Sequence, residues 1–130
     1  MVATPRADPD TRPYWEAARA GRLDLQRCGA CNLLVWYPRR RCHRCGSDVL
    51  LWETMTGDGS VYAFTVVHRA PDPSVEVPYV VALVDLAEGA RIMTNLVDVD
   101  PADVRVGLPV RVRFRRLEGD LALPVFGPAT

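Results

Sequence analysis

Apolar residues change their spacing three times along this chain, and each change marks a different kind of element. Around Tyr14, Trp15 and Ala18 they recur at the three-to-four-residue interval of one helix face. Asp10 or Thr11 stands where an N-cap belongs, Pro13 lies in the first turn and Gly21 just past the end, so a short helix is predicted over residues 12–20. A helix this short does not persist in water without docking, and its aromatic side chains must pack on something. The first ten residues, rich in Pro and Asp, read as a disordered tail.

From Leu23 the period shortens. Residues 23–27 alternate like a strand, residues 33–37 form an apolar run closed by Pro38, and residues 50–52 resume after a polar stretch. Beyond Gly57-Asp58-Gly59 the pattern becomes strands separated by turns. Residues 60–68 predict a strand with Val61, Ala63, Thr65 and Val67 on one face and Tyr62, Phe64 and Val66 on the other. Pro71, Pro73 and Pro78 fill a loop before residues 79–86, which are apolar on both faces and predict a strand buried on both. Glu88-Gly89 turns the chain into residues 91–97, and Asp100-Pro101 opens a single helical turn ended near Gly107. In residues 109–115 Val110, Val112 and Phe114 point inward and Arg111, Arg113 and Arg115 outward; a last strand covers residues 121–126, where Pro124 implies an edge or a bulge. Three strands, a helical turn and two strands is the order of a five-stranded Greek-key barrel, the OB-fold, with an SH3-like barrel as the competing architecture.

The four cysteines explain the short segments before that barrel. They fall as Cys28-Gly29-Ala30-Cys31 and Cys42-His43-Arg44-Cys45, two turns that each aim a pair of thiolates at one point, the spacing of a zinc ribbon. Gly29 and Gly46 sit where such turns need an unhindered backbone, and Arg27 and Arg44 lie close enough in sequence to offset thiolate charge. Cys28, Cys31, Cys42 and Cys45 are therefore the candidate metal ligands. Four of them saturate zinc and leave no position for a catalytic water, so the metal is expected to be structural. Iron in the same ligands would make a rubredoxin-like electron carrier, and disulfides or a redox pair are the remaining alternatives. The chain divides into a tail and helix (residues 1–21), the ribbon (22–53) and the barrel (54–130). The ribbon is too small to hold itself by burial and depends on ligation worth roughly 10–16 kcal/mol.

Composition narrows the function. In 130 residues that are 48% hydrophobic, no apolar run approaches the roughly 18–20 residues of a membrane span, and nothing at the start resembles a secretory signal; a soluble cytoplasmic protein is expected. The zero net charge hides an asymmetry: residues 1–50 hold nine Arg against five acidic residues, and residues 51–130 seven against eleven. All sixteen basic residues are Arg, which suits bidentate recognition of phosphate or carboxylate but also follows from a GC-rich genome. No nucleophile elbow, phosphate-cradling loop or dinucleotide fingerprint occurs, and the two histidines, His43 inside a knuckle and His68 at a strand end, assemble no catalytic group.

Pro13-Tyr14-Trp15-Glu16, Leu25-Gln26-Arg27-Cys28, Tyr37-Pro38-Arg39, Gly59-Ser60-Val61-Tyr62, Val66-Val67-His68-Arg69, Val77-Pro78-Tyr79-Val80-Val81-Ala82 and Gly107-Leu108-Pro109-Val110, in this order, resemble the acyl-CoA-associated zinc-ribbon/OB-fold proteins, long catalogued as a domain of unknown function. The resemblance covers residues 13–128. It implies a mainly β protein with an N-terminal helix, a rubredoxin-like four-cysteine zinc ribbon and an OB barrel, acting as a non-catalytic subunit. Such proteins associate with thiolase-like enzymes that make or break carbon–carbon bonds on acyl-CoA thioesters, by thiolytic or retro-aldol chemistry in sterol side-chain or aromatic catabolism, or are fused to hydratase-type domains. On that reading Arg39, Arg40, Arg41, Arg69 and His68 are candidates for the CoA phosphates, and Tyr14, Trp15 and Trp36 for the partner interface. The competing function is single-stranded nucleic-acid binding, with Tyr62, Phe64 and Tyr79 as a stacking platform and Arg39–Arg41 as a phosphate track; the net-acidic barrel half opposes it.

Overall fold

Two sheets carry the chain, and one short helix joins them. The computed structural model describes residues 8–70, 72–117, 119 and 121–129; most of the expected disordered tail, residues 1–7, and Pro71 of the proline loop lie outside that range. Helix α1 spans Arg12–Arg19. Thr11 holds the N-cap position, but its hydroxyl caps nothing. Asp8 supplies the bond instead: its Oδ1 accepts the Thr11 N–H at 2.9 Å while its own N–H donates to Thr11 Oγ1 at 3.0 Å. At the other end Gly21, with φ +83°, lets its N–H reach Ala18 O at 3.0 Å and that of Arg22 reach Ala17 O at 2.8 Å, the paired bonds of a Schellman turn.

Strands β1 (Asp24–Cys28), β2 (Leu34–Val35) and β3 (Leu50–Thr54) form an antiparallel sheet in the order β2-β1-β3. Strands β4 (Asp58–Val67), β5 (Tyr79–Leu86), β6 (Arg91–Leu96), β7 (Pro109–Arg116) and β8 (Ala122–Pro128) close into a barrel of order β4-β5-β6-β8-β7. β7 pairs back onto β4 and β6 lies parallel to β8, which is the OB-fold connectivity that the element order predicts. Between β6 and β7 runs a 3-10 turn, Pro101–Asp103, whose Ala102 N–H is capped by Asp100 Oδ1 at 2.9 Å. The turn stops well before Gly107, and Val104 behind it plugs the barrel core.

Three expectations need correcting. The alternation predicted for β4 fails at Tyr62: Val61 pairs with Val84 and the next pair is Ala63 with Leu83, so Tyr62 bulges from the ladder and the parity reverses. Phe64 and Val66 pair with buried Ala82 and Val80 and share the inner side with Val61, while Ala63, Thr65 and Val67 face out. β5 occupies its predicted span but is not buried on both faces: Val80, Ala82, Val84 and Leu86 are buried, whereas Tyr79, Val81, Leu83 and Asp85 are only half-buried. Pro124 sits inside β8 rather than on a free edge, two residues before the one β6–β8 pair, Leu96 with Phe126, so its missing N–H falls where the β6 ladder has ended.

One apolar cluster runs from Tyr14 and Trp15 through Leu23 and Leu25 to Val61, Val84 and Phe126, so the helix, β1 and the barrel share a core. A second, small cluster consists of buried Cys28, Val35 and Cys42, with Cys31, Leu33 and Leu50 against it.

Candidate metal centre and the adjoining groove

The two knuckles are built alike. In the first, Asn32 N–H donates to Cys28 O at 2.9 Å and Asn32 takes a left-handed φ of +67°; in the second, Gly46 N–H donates to Cys42 O at 2.9 Å with φ +79°. The counterpart of Gly46 is thus Asn32, one of the few non-glycine residues that tolerate this conformation. Gly29 serves a different need: a Cβ there would come within 2.9 Å of Val49 Cγ1, where the chain after the second knuckle crosses the first and Gly29 N–H bonds Val49 O at 2.7 Å. Backbone N–H groups also point at sulfur, Cys31 N to Cys28 Sγ and Arg44 N to Cys42 Sγ, both at 3.4 Å.

Cys28, Cys31, Cys42 and Cys45 are all free thiols, and their Sγ atoms lie within 4.8 Å of one another. Across the knuckles Cys28 and Cys45 are 3.5 Å apart and Cys31 and Cys42 3.6 Å. A tetrahedron with metal–sulfur bonds of about 2.3 Å has edges of about 3.8 Å, so the donor set fits one four-coordinate soft metal ion. The titration of the thiols points the same way. The Leu33 backbone N–H, helped by Arg44, holds Cys31 down to about 6, and the Cys31 N–H lowers Cys28. The Ser47 N–H pulls Cys45 down too, but crowding by the other three sulfurs outweighs it and pushes Cys45 up to about 11. Such a cluster needs a cation before its fourth thiol gives up its proton. Arg44 is the nearby charge, donating to Cys31 O at 2.9 Å. Arg27 is not: its guanidinium grips Glu53, with Nη2 to Oε2 at 2.9 Å, and Asn32 O.

The other candidate residues separate into three places. Gln26, buried in β1, uses both ends of its amide on one backbone unit: Nε2 donates to Arg39 O and Oε1 accepts the Arg39 N–H, each at 2.9 Å. This clamp, which sequence spacing does not reveal, holds Arg39 and Arg40 over a groove of about 320 Å³ lined also by Asp10, Pro13, Asp48 and Trp52. Arg41 turns away and donates to Gly46 O at 3.2 Å. His68 and Arg69 follow the far end of β4, and neither lines the groove that holds Arg39 and Arg40. Tyr14 and Trp15 are each 5% exposed and belong to the core, where burial pushes the Tyr14 phenol up to about 12. Tyr37 packs edge-on against both Tyr14 and Trp36, at 5.6 and 5.5 Å between ring centres, and Trp36 is half-buried. Of the aromatics set out for stacking, Phe64, 37% exposed, follows the inner-side parity of Val61 and Tyr62 and Tyr79 the outer, so the three do not share a face. Among the described residues no helix is long and apolar enough to cross a membrane.

A four-thiol knuckle pair on a small sheet, running from β3 straight into an OB barrel with one helix packed against both, defines a zinc-ribbon/OB-fold protein. Residues 15–50 match the family described as "ChsH2, rubredoxin-like zinc ribbon domain" and residues 52–115 the one described as "ChsH2, C-terminal OB-fold domain". A DUF35 domain-containing scaffold protein of Methanocaldococcus jannaschii is 40% identical over 96 residues, 72% of this chain and 68% of that one. A solved structure described as "Ltp2-ChsH2(DUF35) aldolase" superposes with a TM-score of 0.87 at 42% identity, over 98% of this chain and 100% of that one. The chain belongs to this ChsH2-type DUF35 family. A probable enoyl-CoA hydratase alpha subunit of Thermomonospora curvata is 43% identical over 127 residues, which are 96% of this chain but 39% of that relative. The chain therefore spans about two fifths of the length of that subunit.

Proposed function

We propose that this chain is a zinc-stabilised, non-catalytic accessory subunit that docks on a thiolase-like or hydratase-type enzyme and helps it hold acyl-CoA thioesters. The observation that carries this reading is the near-complete likeness to the DUF35 chain of an aldolase assembly with Ltp2. The name of the hydratase alpha subunit points to the same acyl-CoA chemistry. Zinc is the metal named in the family description, and four sulfur donors leave it no open coordination position, which favours a structural role. Free thiols throughout suit a reducing cytoplasm.

The groove beside the ribbon is the proposed place for the CoA phosphates. Arg39 and Arg40 are presented there on a clamped backbone, and Trp52 offers an aromatic wall. Asp10 and Asp48 line the same groove, so it suits one or two phosphates rather than a polyanion track. Arg69 and His68, at the far end of β4, are a second, separate place for a terminal phosphate. Trp36 is the one of the three aromatic candidates with surface left to offer a partner. Co-purification from the native host tests the proposal. Recovery of a thiolase-fold or hydratase enzyme, with CoA retention lost in Arg39→Ala/Arg40→Ala, is expected. Nuclease-sensitive recovery of nucleic acid and ribosomal proteins, with no acyl-CoA enzyme, would contradict it.

A further inference from the structure

The groove that holds Arg39 and Arg40 has walls of two different origins. One consists of Arg39, Arg40 and Asp48, all within the stretch from Cys28 to Leu50 that carries the four thiols; the other consists of Asp10 and Pro13 at the start of α1 and Trp52 of β3. Burial fixes the second wall, since α1 sends Tyr14 and Trp15 into the main core and Trp52 packs against the same cluster. Arg39, Arg40 and Asp48 are exposed, so burial does not seat the first. Two devices place it instead. Gln26, buried in the central strand of the ribbon sheet between Val35 and Trp52, holds the Arg39 N–H and C=O at 2.9 Å each. Three residues on, the second knuckle closes: the Cys42 N–H donates to Ser47 O at 2.8 Å and Arg41 to Gly46 O at 3.2 Å, which returns the chain to Asp48.

One backbone segment, residues 39–48, thus serves two sites. It carries the groove arginines at its start, two of the four thiols in its middle and Asp48 at its end. We infer that Gln26 couples these sites, so that a filled metal centre assembles the groove for the CoA phosphates and CoA in the groove tightens the metal. Without a cation the four thiols do not hold the knuckles closed. Gln26 then has no fixed backbone to grip, and a ligand must offset the ordering of Arg39 and Arg40 from its own binding energy. Metal removes that cost in advance, and the coupling runs in both directions with one factor. Gln26 itself is a positioning residue, acting through Arg39. The inference rests on the reading of this groove as the CoA-phosphate site.

The test titrates acetyl-CoA, which has no free thiol to compete for the metal, into the metal-loaded full chain and into the same chain stripped of metal, by calorimetry. Binding to the loaded chain is expected to be tighter by about tenfold or more, and competition against a chromophoric chelator should show saturating acetyl-CoA raising the metal affinity by the same factor. Gln26→Ala, with the metal content and near-ultraviolet dichroism of wild type, should bring both ratios close to one. Gln26→Glu, which still accepts the Arg39 N–H but donates nothing to Arg39 O, should fall between. A variant that is merely less stable keeps both ratios. Equal acetyl-CoA affinity with and without metal, or full coupling retained in Gln26→Ala, would overturn the inference and leave the groove reading standing. A metal-loaded wild-type chain that binds no acetyl-CoA, or Arg39→Ala/Arg40→Ala that binds it as wild type does, would remove the groove reading and the inference with it.

Discussion

The barrel core and the knuckle cluster solve one problem by different means. In the barrel, Phe126, Val61, Val84 and Val110 are essentially sealed from water, and the closed ring of strands leaves little backbone unpaired. At the tip of the ribbon Cys28, Val35, Pro38 and Cys42 are buried, and two of these four are candidate metal ligands. So few side chains cannot offset the ordering of two knuckles and the loop between them, which costs about 1–2 kcal/mol per residue for the backbone alone. Coordination has to supply what burial does not. The border between the two regimes does not lie at the junction of ribbon and barrel. Leu23, just before β1, and Leu25 within it belong to the barrel's core, together with Tyr14 and Trp15 of the helix. The part that depends on metal is therefore smaller than the whole ribbon half, and runs through residues 28–50.

The largest break in that comparison is loss of a ligand. Cys42→Ser is expected to release the metal, removing coordination energy of about 10–16 kcal/mol from the tip and abolishing the complex with a partner enzyme, while the barrel stays folded. Metal analysis and circular dichroism check both halves of this statement. Phe126→Ala strikes the other regime. A fully buried aromatic at the meeting of β6, β7 and β8 should cost about 3–5 kcal/mol, read as a lower midpoint in denaturant, with the metal still bound below that midpoint. Gln26→Ala sharpens the border between them. It leaves Arg39 N–H and C=O without their partner and should cost about 1–2 kcal/mol, with weaker CoA binding as the functional readout and metal content unchanged.

What the sequence disclosed follows from the same contrast. The metal centre was legible because its chemistry is local: two Cys-x-x-Cys turns declare themselves within four residues each. The order of the barrel strands was legible because period and turn residues are also local. What escaped were relations between distant segments. The bulge at Tyr62 exists only in the pairing of β4 with β5, and it turned the predicted inner face of β4 outward from Ala63 onward. The Gln26 clamp joins residues thirteen apart through a side chain that a strand pattern reads as merely polar. Gly29 looked like the flexible point of its knuckle, yet Asn32 takes the left-handed position and Gly29 makes room for Val49. Tyr14 and Trp15 have to pack on something for so short a helix to persist, and the pattern does not say whether on a partner or on this chain; the helix lies against β1, β7 and β8 and buries them. In β5 the apolar run predicts burial on both faces, and the described residues bury only one fully, because whether a second layer lies over a strand is not written in the strand.

The division between a metal-held tip and a burial-held body is tested most directly by amide hydrogen exchange on the intact chain, before and after the metal is removed by a chelator. Exchange should accelerate through residues 28–50 on metal removal, while the amides of β5, β6 and β8 keep their protection. Loss of protection throughout the barrel, or an unchanged pattern in the knuckles, would contradict it.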